Sequence, residues 1–165
     1  MSAPITVLFV SHQNAVRSIL AEACLNQLGK GRFKAFSCGV PGQTDSPVPQ
    51  VVHGVLAACA FPSKDLHAKS WNDFVRIGSP RLNFVIALDE STVGFHPSWP
   101  GQPDTALWSC PPVLRAGYTD YDLKPAALQT LYLLRRRLEL LVALPMHGFD
   151  RSALRSDIRD LAYMA

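Results

Sequence analysis

Two stretches of this chain, ITVLFV at Ile5–Val10 and LNFVIAL at Leu82–Leu88, are apolar at almost every position. A strand with one wet face alternates apolar and polar residues, whereas an unbroken apolar run of this length is the mark of a strand covered on both faces in a parallel sheet. That pattern leaves few folds open. Parallel strands need crossovers, and helical patterns lie between them. Leu20, Ala23, Cys24 and Leu28 recur at helical spacing from Arg17 to Leu28, where Gly29 supplies a stop. A second strand is predicted at Lys34–Cys38, a helix at Gln50–Ala60, a short helix near Trp71–Ile77 and a short strand at Ala106–Trp108. A long helix is predicted over Lys124–Leu144, stopped by Pro145, with a helical tail from Ser152. The fold class is α/β: a three-layer open parallel sheet of about four strands with helices on both faces. Residues 1–165 are expected to form one domain with a short C-terminal tail from about 146.

An open parallel sheet places ligands at the carboxyl ends of its strands, so the loop after Val10 is the first to read. It runs Ser11, His12, Gln13, Asn14, Ala15, Val16 and Arg17, with Ser18 in the helix that follows. Successive backbone N–H groups and the positive end of the helix dipole can converge there on a tetrahedral oxyanion, and Arg17 adds a rigid fork of donors. Phosphate, arsenate or a sulfate-like anion fits. On the spacing alone, an ordinary strand-to-helix turn with a surface Arg explains the stretch equally well.

Composition narrows the partners. With 48% apolar and 18% charged residues and a net charge of +3, the chain is globular and lacks the footprint of a nucleic-acid binder. Arg135, Arg136 and Arg137 suit a solvated helix face. Cys24, Cys38, Cys59 and Cys110 form no CxxC pair and are expected to be reduced thiols, with Cys24 in the core, in a cytoplasmic protein without a signal peptide. The apolar stretch 138–144 is too short to cross a membrane. His53, His67, His96 and His147 show no metal-ligand spacing, so no metal and no cofactor is predicted.

The run VLFVSHQNAVRSILAEACLN resembles the opening of the low-molecular-weight protein tyrosine phosphatases and their arsenate reductase relatives: Cys, five residues, Arg, Ser, then Ala-Glu in the helix. Asn14, Arg17, Ser18, Ala21 and Glu22 match. The likeness continues through SCGVPG, KSWNDF, NFVIALDES, WPGQPDTALW and VALP, and the Trp-Pro-Gly element at Trp99–Gly101, with GFDRSALRSDIRDL, suits the arsenate-reductase branch. The resemblance implies that residues 11 to 18 form the oxyanion loop, with Ser11 and Arg17 at the catalytic positions. It also implies a cysteine nucleophile where this chain has Ser11. A serine hydroxyl cannot be held ionised as a thiolate can, and without an adjacent base it does not attack phosphorus. His12 is next in sequence, but neighbouring side chains usually point apart.

Two other positions depart from the family. Pro112 aligns where phosphatases carry the Asp that protonates the leaving oxygen, and Pro transfers no proton. Asp120 and Asp122 lie further on and would serve only after rearrangement of the loop. Near VIALDES, Asp89, Glu90 and His96 stand where thioredoxin-coupled reductases place relay cysteines, and Cys110 has no thiol partner at position 11. In some arsenate reductases an Asn, a Glu and a Ser help bind potassium, and Asn14, Glu22 and Ser37 match them; the simpler role of Asn14 is to hydrogen-bond the loop into shape. Trp71, Trp99 and Trp108 are expected either to wall the site or to pack under the long loop. The expected function is that of an oxyanion-binding pseudoenzyme, with a protein partner as a further candidate. The alternative is an active arsenate reductase or phosphatase whose natural Cys has been exchanged for Ser11.

Overall fold

The computed structural model describes residues 3–145 and 151–164. Four parallel strands form one sheet in the order β2-β1-β3-β4, with β1 at Ile5–Val10, β2 at Phe33–Cys38, β3 at Phe84–Ala87 and β4 at Asp104–Leu107. Along β1, Val7 and Phe9 enter one apolar cluster and Leu8 and Val10 the other, so both faces are covered, as its unbroken apolar pattern requires. Four helices, α1 (Arg17–Leu28), α2 (Gln50–Ala58), α3 (Asp120–Val142) and α4 (Arg151–Asp160), supply the larger cluster. The opposite face is closed by the one-turn helix Trp71–Phe74 and by Trp99. The register aligns the strand ends: Val10 is level with Cys38 and with Ala87, and Ala87 with Leu107. The chain therefore leaves all four strands at one end of the sheet.

Element boundaries differ from the expected ones where local hydrogen bonding decides. The long helix begins at Asp120, not Lys124, because Thr119 and Asp122 form a capping box that winds an extra turn ahead of Pro125. It ends at Val142. Strand β3 is confined to Phe84–Ala87, where the paired register ends with Ala87 opposite Val10; Leu88, also buried, makes the last bond to β1 through its N–H to the Val10 carbonyl, and β4 starts at Asp104 rather than Ala106. Helix α2 stops at Ala58, two residues before Ala60 takes a positive φ of 61°. The region after Asp89 is not a bare loop: the Asp89 carboxylate caps a 3-10 helix, Glu90–Phe95, by accepting from Ser91 N–H.

Trp108 is fully buried against Phe9, at 6.4 Å between ring centroids, and its indole N–H donates to the Ile158 carbonyl at 2.9 Å, fastening α4 to the sheet. His147 and the expected start of the tail at 146 lie outside the described residues. Among the described residues no helix is long and apolar enough to cross a membrane.

Candidate functional site at the carboxyl ends of the strands

A cleft of about 220 Å³ opens where β1 and β3 end, lined by residues 11–17 with Asp89, Pro112, Val113 and Leu114. The loop is held from behind. Asn14 sits at φ 54°, a left-handed conformation that Asn tolerates better than most residues. From there its Nδ2 donates to Ser18 Oγ at 2.7 Å, and its Oδ1 accepts from Lys69 N–H at 2.9 Å. Gly39, leaving β2, packs so close that a Cβ would meet the His12 carbonyl oxygen at 2.9 Å. Only glycine allows that approach.

Ser11 Oγ lies 2.5 Å from Ser18 Oγ and is 2% exposed as a residue. Among the described residues neither a His nor a carboxylate bonds it, so none of them draws off its proton. His12 lines the cleft, and its carbonyl accepts from Val40 N–H. Ser18 was expected to touch the anion. It is fully buried outside the cleft lining, where its hydroxyl ties Ser11 to Asn14. None of the backbone N–H groups of residues 12–17 has an acceptor among the described residues, so these donors remain uncommitted around one opening.

Arg17 is 8% exposed and committed in two directions. Its Nη2 donates to Asp89 Oδ2 at 2.7 Å and its Nη1 to the Cys110 carbonyl at 3.0 Å, leaving three of the five guanidinium donors without a partner among the described residues, on a side chain that lines the cleft. Burial pushes the Asp89 carboxyl up, but hydrogen bonds from Ser91 and the charge and hydrogen bond of Arg17 outweigh it, so its pKa lies below the usual carboxylate value. At neutral pH Asp89 is an anion. In the sequence Asp89 stands where a relay cysteine is absent; its place just after β3, beside β1, is the signal that it borders the site.

Pro112 lines the cleft, where it has no proton to give. Asp122 instead caps α3, and Cys110 is buried, its thiol pushed up by burial against the opposing pull of Arg137 and Arg17. Cys24 is core. The tryptophans do not wall the cleft: Trp71 and Trp99 form an edge-to-face cluster with His96 on the opposite sheet face, where burial lowers the His96 pKa.

Asn14, Glu22 and Ser37 are linked behind the loop through Lys69. Ser37 Oγ donates to Glu22 Oε1 at 2.5 Å, and Lys69 Nζ reaches the His67 carbonyl at 2.9 Å and both Ser37 Oγ and Glu22 Oε1 at 3.4 Å. An ammonium on the chain itself therefore balances the Glu22 carboxylate. Lys69→Met should lower thermal stability, by less than the about 3–5 kcal/mol of a broken buried pair because the contact is long. Potassium chloride should restore part of the loss where tetramethylammonium chloride does not. Melting curves in the two salts check this, and unchanged melting would remove Lys69 from the role.

Fold and site together define an α/β protein with an open parallel sheet and its candidate site in a strand–loop–helix crevice. The sequence pattern of the low molecular weight phosphotyrosine protein phosphatases matches residues 6–102, more than half of the chain, and the chain belongs to that family. An arsenate reductase in the phosphate binding state superposes with TM-score 0.67 at 22% identity, over 84% of this chain and 97% of that one. Arsenate reductase from Archaeoglobus fulgidus DSM 4304 gives 0.65 at 23%, over 84% and 99%. Vibrio vulnificus Wzb in complex with benzylphosphonate gives 0.65 at 14%, over 85% and 98%. These likenesses are to the fold. No curated protein matches the chain.

Proposed function

We propose that this protein binds a phosphate-type oxyanion in the loop from Ser11 to Arg17 and, with Ser11 in place, does not turn it over. The observation that carries the reading is the row of uncommitted backbone N–H groups at residues 12–17, beside the spare donors of Arg17. A tetrahedral anion satisfies such a set of donors at a helix N-terminus. The relatives solved with phosphate and with benzylphosphonate support the choice of ligand. The lack of turnover follows from a hydroxyl with no base beside it and a Pro in the loop that would supply the acid. Calorimetric titration with phosphate and with arsenate should give saturable one-to-one binding, with the amide resonances of residues 12–17 shifting, while an aryl phosphate is not hydrolysed. No heat and no shifts would overturn the reading.

A second reading is favoured by one contact. The Ser18 hydroxyl, itself held by Asn14, stands 2.5 Å from the γ atom of residue 11, where it would stabilise a thiolate. In that case the natural chain is an active phosphatase or arsenate reductase with Cys at position 11.

A further inference from the structure

Among the described residues strand β4 has no strand beyond it. Asp104 N–H donates to the Asn83 carbonyl at 3.1 Å and Trp108 N–H to the Ala87 carbonyl at 2.7 Å, and because bonded residues alternate along a parallel strand, Thr105 and Leu107 turn their main chain outward. Arg159 Nε takes up the Thr105 carbonyl at 3.0 Å. Thr105 N–H, Leu107 N–H and the Leu107 carbonyl have no partner among the described residues.

This edge forms part of the lining of a cavity of about 600 Å³, larger than the cleft at the strand ends. Val93, His96 and Trp99 stand on one side of it, and Arg159, Ala162 and Tyr163 on the other. The Trp99 indole N–H is buried and has no acceptor among the described residues, while Val93 and Tyr163 are 46% and 89% exposed. We propose that the groove binds an extended peptide segment of a partner protein, which adds to β4 as a further strand.

Three unmatched main-chain groups at strand spacing are what another extended backbone satisfies together; a compact small molecule would meet only some of them. The edge is also recessed between two walls. A second copy would bring the same walls to its own β4, so the groove suits one extended segment better than another walled sheet edge. A single projecting strand can enter, with an apolar side chain set against Val93 and Trp99. The rim carries charges of both signs, Arg159 and Asp160, so the complementary segment has an acidic residue facing the first and a basic one facing the second.

The probe is an acetylated, amidated peptide of sequence Glu-Val-Phe-Val-Lys, with a copy N-methylated at alternate amides as control. Binding is followed by fluorescence anisotropy, and amide hydrogen exchange by NMR. The parent peptide should bind saturably and slow exchange at Thr105 and Leu107, and the N-methylated copy should not. Val93→Asp, on an exposed wall, should weaken binding by about tenfold or more, and Thr105→Pro should do the same by removing an edge donor. Phosphate binding should persist in both. If Thr105→Pro does not fold, Val93→Asp and the N-methylated control decide. The proposal is overturned if the peptide does not bind, if the N-methylated copy binds equally well, or if the free protein is a dimer with Thr105 and Leu107 already protected.

Discussion

Arg17→Ala is expected to lower affinity for phosphate and arsenate at least about 100-fold. Two charge-assisted hydrogen bonds to the anion are lost, each worth about 1.5–3 kcal/mol, and tenfold in affinity corresponds to about 1.4 kcal/mol. Asp89 adds to the loss. Its carboxylate lines the same cleft and is neutralised by Arg17 at 2.7 Å, so without the guanidinium it repels the incoming anion. Arg17→Lys should recover only part of the affinity, because an ammonium cannot donate to Asp89, the Cys110 carbonyl and two anion oxygens in fixed directions. Calorimetry on the three proteins measures this, with circular dichroism to confirm folding. Affinity unchanged in a folded Arg17→Ala protein would mean that the anion does not sit in this loop.

The strand–loop–helix unit was legible in the sequence because its determinants are local. An apolar run on β1, a helical period beginning at Arg17 and a short connection fix where residues 11–17 must lie. What surrounds the loop was not legible, because it comes from far along the chain. Asp89 meets Arg17 across 72 residues, and Lys69 reaches Glu22 across 47. No periodicity records such meetings. The start of α3 differs for another reason: the apolar period begins only after Asp122, whereas the Thr119–Asp122 capping box winds the polar first turn into the helix ahead of Pro125. The His96 cluster likewise depends on Trp71 arriving from another part of the chain.

Ser11→Cys is expected to create a reactive thiolate without creating turnover. The thiol would enter the uncommitted N–H groups of the loop, within reach of the Ser18 hydroxyl, so its pKa should fall from about 8.5 into the range of roughly 3.5–7.5 seen for thiols at helix N-termini. Alkylation by iodoacetamide as a function of pH reads this directly. Hydrolysis of phosphotyrosine needs more, because the departing phenolate, whose phenol has a pKa of about 10, requires a proton. Pro112 has none to give, and Asp89 is held ionised by Ser91 and Arg17. Arsenate reduction needs a second thiol to resolve the adduct, and Cys110 is buried with its thiol pushed up and directed at the Trp108 carbonyl. A thiolate that alkylates at neutral pH, binds phosphate and leaves phosphotyrosine and arsenate unchanged would place the protein among binders. Turnover of either substrate would show that one atom at position 11 separates this chain from a working enzyme.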